Sequence, residues 1–185
     1  MESLSFQTAS TIDDLNGILK LQDENHLQTI SSLEDGFVTV RHDMDVLKKM
    51  NDFAPHVIAK SGERVVAYAL AMTPQTKEDV PVLIPMFEQF DHLTYQSKQL
   101  SLWNYLVVGQ VCVSKDFRGH GIFDRLYQFY RSTYEKKFDF AITEIASNNP
   151  RSIRAHQRVG FKEIHRFTDS LPMDWSIVIW NWTKG

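Results

Sequence analysis

The run Arg-Gly-His-Gly-Ile-Phe at residues 118–123 has the residue types of a phosphate-binding turn. The stretch 107–113 before it is rich in β-branched residues and predicts a buried strand. Apolar residues at helical spacing from Ile122 to Tyr134 predict a helix that begins at or just after Gly121. The first N–H groups of a helix have no intrahelical partner, and glycine lets a ligand approach the backbone closely. The pattern therefore indicates a site for a phosphate or pyrophosphate.

Two common phosphate-binding motifs do not fit this run. A P-loop needs Lys-Ser or Lys-Thr after its second glycine, and neither follows here. A dinucleotide fingerprint needs a third glycine where Asp124 stands, and it would lie early in a βαβ unit rather than two-thirds along the chain. The phosphate ligand therefore belongs to another class.

A second motif occupies residues 144–161. It predicts a strand that ends in the acidic Glu144, followed by Asn149, a short helix and a terminal Gly-Phe. Asn149 is a good N-cap, Pro150 suits the first helical position, and Gly160 suits the position after the helix. Together the two motifs resemble those of the GNAT N-acetyltransferase superfamily, over roughly residues 56–168.

The resemblance implies a fold, a cosubstrate and a set of contacts. The fold would be α/β, with a mixed, mostly antiparallel sheet of six or seven strands, helices on both faces and two splayed central strands. The pyrophosphate of acetyl-CoA would lie on the glycine loop, and its pantetheine arm would pair with residues 111–113 like one more strand. The N–H of Cys112 or Val113 would polarise the thioester carbonyl. The residues expected to bind the cosubstrate are Val111, Cys112, Val113, Arg118, Gly119, His120, Gly121, Ile122, Phe123, Asn149 and Arg151.

Two residues are expected to take part in proton transfer. The second motif is similar to that of the ribosomal-protein alanine acetyltransferases, which have an acidic base five residues before the motif asparagine and a tyrosine acid seven residues after it. The matching residues here are Glu144 and His156. Histidine departs from that pattern, because its reference pKa of about 6.5 is well below the roughly 10 of tyrosine. His156 is therefore either a general acid or a structural residue that orients the cofactor sulfur.

Several side chains keep alternative interpretations. Water bound to Gln110, or His42 or Asp43 from the N-terminal half, is an alternative to Glu144 as the base. Cys112 is expected to be a small buried apolar residue. The seven histidines show no metal-ligand spacing, so no metal is predicted.

Composition limits the class of protein. At 185 residues with 43% hydrophobic residues, the chain is expected to form one globular domain, 1–185. The formal charge of −3 argues against a nucleic-acid partner. No apolar run approaches the roughly 20 residues of a membrane helix, and Met1-Glu2-Ser3-Leu4 does not resemble a secretory signal. With the single Cys112 precluding an internal disulfide, we expect a cytoplasmic protein without membrane contact.

Local patterns predict the other elements. A capping box at Thr11 and Asp14 predicts a first helix. A second helix is expected over 43–51, strands over 4–8, 56–60, 64–72, 138–145, 161–168 and 176–182, and an extended stretch over 36–41.

The segment 73–104 is expected to be an insertion between the two central strands. It has helical spacing after Pro85 and carries aromatic residues. Such a segment is a lid or pocket wall, a homodimer contact, or a structural flap over the sheet. An enclosed pocket favours a small-molecule amine as acetyl acceptor; a protein N-terminus or lysine, and a non-catalytic acyl-CoA sensor, are the alternatives.

Overall fold

The computed structural model of the protein describes residues 3–30, 37–169 and 173–183. Within these residues the strands are β1 (Leu4–Thr8), β2 (Val57–Ser61), β3 (Arg64–Met72), β4 (Thr94–Tyr95), β5 (Lys98–Gln99), β6 (Tyr105–Val113), β7 (Phe140–Ala146), β8 (Lys162–Thr168) and β9 (Asp174–Asn181). Seven of them form one sheet in the order β1-β2-β3-β6-β7-β9-β8, while β4 and β5 form a separate hairpin. Neighbouring strands of the large sheet are antiparallel except for the parallel pair β6 and β7. The mixed, mostly antiparallel sheet expected from the sequence is confirmed.

The helices of the described residues are α1 (Ile12–Glu24), α2 (Met44–Phe53), α3 (Ile84–His92), α4 (Ile122–Tyr134) and α5 (Pro150–Val159). Of these, α1 begins directly after Thr11, the cap that the sequence predicts. The Thr11 hydroxyl accepts the N–H of Asp14, and the Asp14 carboxylate accepts the N–H of Thr11, which completes the capping box before α1. The Asp43 carboxylate accepts the N–H of Val46 at the start of α2. Each cap satisfies N–H groups that the helix itself leaves unpaired.

Helices cover both faces of the sheet. Helices α1, α2 and α3 bury residues such as Ile18, Leu47 and Phe90 against one face. Helices α4 and α5 cover the other face, where Leu126 and Tyr127 are fully buried. Burying a large apolar side chain contributes roughly 1.5–3 kcal/mol, so these two cores hold the sheet between its helices.

The central strands separate after a short contact. Strands β6 and β7 pair over residues 105–107 and 140–142 and no further. The Thr143 hydroxyl then donates to the Val108 carbonyl at 2.8 Å, and beyond this point the strands diverge. The register between β3 and β6 shifts so that Gly109 has no partner, which is a β-bulge. Because a bulge bends its strand, we infer that Gly109 directs the rest of β6 away from β7.

Residues 37–42, here named the strap, connect the two sides of this gap. The Gln110 amide on β6 donates to the Val40 carbonyl at 2.8 Å, and the Asn149 amide before α5 donates to the Phe37 carbonyl at 3.4 Å. Val38 forms an isolated parallel bridge with His26 instead of joining the sheet. Of the extended stretch predicted at 36–41, Val38 forms this bridge and residues 37–41 are not part of a strand, while residue 36 lies outside the described residues.

The insertion 73–104 packs against the closed end of the gap. Its helix α3 begins at Ile84, one residue before the Pro85 expected to precede it. Tyr95 and Trp103 lie with their rings 5.5 and 5.8 Å from the Phe140 ring. The insertion is therefore attached to β7 by aromatic contacts. No helix in the described part of the chain is long and apolar enough to cross a membrane.

Candidate active site

The glycine loop has the conformation that its sequence predicts. Gly119 and Gly121 have φ angles of 81° and 69°, in the left-handed region that only glycine adopts readily. Gly121 is the N-cap of α4 and makes no side-chain cap, so the first-turn N–H groups from Ile122 onward are left for another acceptor. A Cβ at either glycine would meet no protein atom within 4 Å, so backbone conformation rather than crowding requires glycine here.

The Arg118 side chain holds the loop in place. Its Nε donates to the Val113 carbonyl at 3.0 Å, and its Nη2 donates to the Asn25 side chain at 2.6 Å. Arg118 therefore connects the loop to the end of β6 and to the residue that ends α1.

A cavity of about 590 Å³ opens beside this loop. Ten of the eleven residues expected to bind the cosubstrate line it; they are Val111, Cys112, Val113, Arg118, Gly119, Gly121, Ile122, Phe123, Asn149 and Arg151. The eleventh, His120, is exposed and its side chain lies outside the lining. A groove that runs from the first turn of α4 to the edge of β6 fits an elongated ligand with a phosphate at one end.

Sequence reasoning missed several residues of this lining. Arg154 and Arg158 lie one and two turns after Arg151 on the same side of α5, a spacing that the sequence already shows. Arg158 makes a bidentate pair with Asp124 of α4, with contacts of 2.7 to 3.0 Å. The lining residues from the N-terminal half, Asn25, Phe37 and Val38, had no local signal because only long-range packing brings them here.

The edge of β6 offers main-chain groups to the gap. The Ser114 N–H donates to the Val66 carbonyl of β3 at 2.8 Å. Hydrogen bonding alternates along an antiparallel strand, so Cys112 also pairs with β3. Val111 and Val113 then direct their N–H groups into the gap. Of the two N–H groups considered as carbonyl polarisers, that of Val113 has the suitable direction.

A second, smaller pocket of about 90 Å³ adjoins the cavity. The two share Phe37, Val38, Val111, Asn149 and Ser152. The smaller pocket lies in the gap, since Thr143 and Glu144 of β7 face Gln110 of β6 there. Its remaining wall includes Leu83 and Met86 from the insertion. The insertion is thus a pocket wall as well as a cover over the sheet.

Glu144 is the ionisable group of this pocket that has no protein partner. It lies inside β7 rather than at its end, two residues before Ala146. Its Oε2 is buried and has no hydrogen-bond partner among the described residues. Burial, with a smaller contribution from the negative charge of Asp169, raises the pKa of the Glu144 carboxyl to about 8. A carboxyl group with such a pKa exchanges protons near neutral pH, as a general base must.

His156 lines the same pocket but has internal partners at both ring nitrogens. Its Nδ1 lies 2.8 Å from the Ser152 carbonyl and its Nε2 lies 2.8 Å from the Tyr127 hydroxyl. A carbonyl only accepts, so Nδ1 carries the proton and Nε2 accepts from Tyr127. Burial lowers the pKa of His156 to about 4. This arrangement favours a structural role for His156, and its roles as a general acid and in orienting the cofactor sulfur stay predictions.

The alternative bases lie in different surroundings. Gln110 lines the small pocket, but its carbonyl accepts from the Tyr68 hydroxyl and its amide donates to the strap. His42 is buried with its Nδ1 on the Gln22 carbonyl, and Asp43 caps α2. Neither His42 nor Asp43 lines either pocket. Burial raises the pKa of the Cys112 thiol to about 12, which fits an unreactive buried residue.

Among the described residues there is no group of three or more His, Cys, Asp or Glu side chains that a metal ion requires.

The sequence matches the Acetyltransferase (GNAT) family over residues 20–161. The chain belongs to this family of acetyl-CoA-dependent N-acetyltransferases. The match begins well before residue 56, where the resemblance was expected to start, and so includes the C-terminal end of α1 and the strap. No curated protein matches the chain.

Solved structures with the same fold have little sequence in common with the chain. The ribosomal-protein-S18-alanine N-acetyltransferase from Escherichia coli is 10% identical, with a TM-score of 0.67 over 99% of this chain and 96% of that one. The putative acetyltransferase yncA from Salmonella typhimurium, solved with acetyl-CoA, is 15% identical, with a TM-score of 0.64 over 100% and 96% of the two chains. NAA60 from Arabidopsis thaliana, in complex with acetyl-CoA, is 13% identical, with a TM-score of 0.64 over 97% and 99%.

Proposed function

We propose that the protein transfers the acetyl group of acetyl-CoA to the primary amine of a small molecule. The observation that carries this proposal is the junction of the two pockets. The cavity at the glycine loop meets the pocket of Glu144 inside the gap between β6 and β7. A base of suitable pKa therefore lies beside the end of a groove that fits a phosphate-bearing cosubstrate.

The main chain would hold the cosubstrate. The first-turn N–H groups of α4 would bind its pyrophosphate, and the N–H groups of Val111 and Val113 would bind its pantetheine amides and polarise its carbonyl. Arg151 and Arg154 of α5 line the cavity and make no ion pair among the described residues, so both are suited to the remaining phosphate. Asn149 accepts the Ser152 N–H at 3.1 Å while its amide group faces the strap and the gap.

Acetyl-CoA supplies a thioester whose acyl carbon forms a bond to the amine nitrogen as the carbon–sulfur bond breaks. Glu144 would take one proton from the arriving ammonium ion and release it to solvent. The second nitrogen proton leaves with the thiol. The apolar surroundings of Glu144 exclude water and raise its proton affinity, which makes the carboxylate a stronger base than one in solution.

A small acceptor is supported by the pocket walls. Leu83 and Met86 are 5% and 3% exposed and close the side of the small pocket that faces the insertion. The strap closes another side through its contacts with Gln110 and Asn149. An extended peptide would need an open groove here.

A direct assay tests the proposal. The full chain is mixed with acetyl-CoA and a panel of small amines, and separately with peptides that carry a free N-terminus or a lysine. We expect thiol release that depends on a small amine, with an acetylated amine detected by mass spectrometry. Release with peptides alone would show a protein acceptor. Saturable acetyl-CoA binding with no release for any amine would show a sensor and contradict the proposal.

We also propose a single domain, 1–185, because one sheet takes strands from Leu4 to Asn181. The proposed cytoplasmic location is supported by the buried free thiol of Cys112. Gel filtration of the full chain tests the further expectation of a homodimer.

A further inference from the structure

Most polar side chains of the small pocket already have hydrogen-bond partners in the protein. The Gln110 carbonyl accepts from Tyr68, and the Thr143 hydroxyl donates to the Val108 carbonyl. Both ring nitrogens of His156 have partners. The Trp175 N–H donates to Asp169 at 2.8 Å. These side chains thus have little hydrogen-bonding capacity left for an acceptor.

The carbonyl groups of the strap also have hydrogen-bond partners already. Its carbonyl groups accept hydrogen bonds from inside the protein: Phe37 from Asn149, Val38 from the Leu27 N–H, Thr39 from the His26 ring, Val40 from Gln110, and His42 from Gln22. The distances run from 2.8 to 3.4 Å. A strap bound in this way offers those carbonyls neither to a peptide backbone nor to a second ammonium group.

The other lining side chains are mostly apolar; the polar ones among them are Thr39, Asn149, Ser152 and the acid Glu144. Besides His156, Glu144 is the ionisable side chain among the described residues that line this pocket. Apolar wall residues come from four parts of the chain, and they are Phe37, Val38, Val40, Leu83, Met86, Val108, Val111, Ile145 and Ala146. A charged group placed among them without a partner would lose its hydration with little compensation.

From these contacts we infer that the acceptor is a primary amine on an uncharged, apolar body, and that Met86 limits the size of that body. The inference rests on the proposed function and narrows it to one class of amine. The amine nitrogen meets Glu144, whose Oε2 has no hydrogen-bond partner among the described residues, and the apolar body meets Met86 and Leu83. Acceptors with a second charge, such as amino acids, diamines and peptides, find no partner for it in the described part of the lining.

Three amines of equal chain length separate these classes. Pentylamine, 1,5-diaminopentane and 5-aminopentanoate differ at the end remote from the reacting amine. With the full chain and saturating acetyl-CoA, we expect kcat/KM for pentylamine to exceed that for each of the other two at least tenfold. An Ala-Gly-Gly peptide tests the main-chain argument and is expected to react no better than the charged amines.

Met86→Ala tests the size limit. We expect this variant to move the preferred amine from pentylamine toward bulkier apolar amines such as phenylbutylamine, with an unchanged Kd for acetyl-CoA. Met86→Leu keeps the wall and should keep the preference. Val82→Ala is the matched control. Val82 lies next to Leu83 in the short helix Pro81–Leu83, but its side chain is 65% exposed and does not line the pocket.

The outcomes distinguish the two proposals. A faster reaction with the diamine, the amino acid or the peptide overturns the inference on the acceptor and leaves the transferase intact. An unchanged preference in a folded Met86→Ala variant that binds acetyl-CoA overturns the role of Met86. No transfer to any amine, despite acetyl-CoA binding, overturns both the inference and the proposed function.

Discussion

The two sides of the gap are built in different ways. The cosubstrate side consists of the end of β6, the loop 118–122 and the start of α5, and it presents main-chain N–H groups and glycines. The acceptor side combines the strap, the insertion 73–104 and Glu144, and it presents side chains. A ligand common to a whole family can be bound by backbone groups that tolerate sequence change. The acceptor, in contrast, would be selected by side chains, which a single substitution changes.

Removing the acid on the acceptor side is expected to have the largest effect. Glu144→Gln keeps the shape of the side chain but accepts no proton, so kcat should fall about 100- to 10,000-fold, the range of general acid–base catalysis. The Kd for acetyl-CoA should not change, because the loop is untouched. Glu88→Gln, on the exposed side of α3, is the control with normal activity. Full activity of Glu144→Gln with an unmoved pH profile would show that the base lies elsewhere.

The raised pKa of Glu144 predicts how activity and stability depend on pH. A base must be deprotonated, so log kcat/KM should rise with slope one up to about pH 8 and then level off. Stability is expected to change with pH in the opposite direction to activity. The pKa of Glu144 in the folded protein lies above its ordinary value of 4.5, so the free energy of unfolding falls as pH rises from about 4.5 to 8. Urea unfolding at pH 6 and pH 9 should therefore show Glu144→Gln gaining stability relative to the wild type at pH 9.

A change in the glycine loop should affect the cosubstrate side alone. Gly121→Ala forces a side chain into φ 69°, which costs about 1–2 kcal/mol, and it places a methyl group at the ligand-facing backbone. We expect the Kd for acetyl-CoA, measured by calorimetry, to rise about tenfold, while the order of preference among amines stays the same. His120→Ala, the adjacent change outside the lining, should leave the Kd unaltered. A changed amine preference in Gly121→Ala would show that the two sides are coupled.

His156 lies where the two sides meet, and two substitutions separate its possible roles. His156→Ala leaves the buried Tyr127 hydroxyl without an acceptor, which costs about 1–3 kcal/mol, and we expect a lower melting temperature and a several-fold lower kcat. If His156 is a proton donor, His156→Tyr should recover part of kcat. If it only orients its neighbours, His156→Tyr should lose as much as His156→Ala. An unchanged kcat in both variants would show that His156 has neither role.

The smallest expected effect concerns stability rather than activity. Burial lowers the pKa of His42, His56 and His156 to about 4 from 6.5. A histidine held neutral in the fold contributes stability above pH 6.5, and this stability is lost as pH falls toward 4. We expect a loss of roughly 1–2 kcal/mol per histidine between pH 7 and pH 5, measured by urea unfolding.

Local sequence signals were sufficient for the cosubstrate side. Gly121, Asn149 and Gly160 each fix a backbone conformation or a cap within a few residues of themselves, and all three are found where predicted. The capping box at Thr11 and Asp14 is similarly local. A single sequence predicts a local conformation when the residues that determine it lie within a few positions of it in the chain.

The acceptor side depends on contacts between distant residues, so only its general location can be predicted from the sequence. An extended stretch is predicted over 36–41, but the position of the strap follows from Gln22, Gln110 and Asn149, which are far away in the chain. The pocket wall formed by Met86 likewise depends on how the insertion packs against Phe140. His156 shows the same limit, because its partner Tyr127 belongs to another helix.

One unpaired residue at Gly109 also determines which side of the sheet each later residue of β6 faces. Before it, Tyr105 and Val107 face the core of α1–α3; after it, Cys112 faces that core, so odd and even positions have exchanged roles. Gln110 faces the strap for the same reason. A regular strand of the same length, with Gly109 paired, would turn Gln110 toward the aromatic rings of α4 and leave the strap without its anchor.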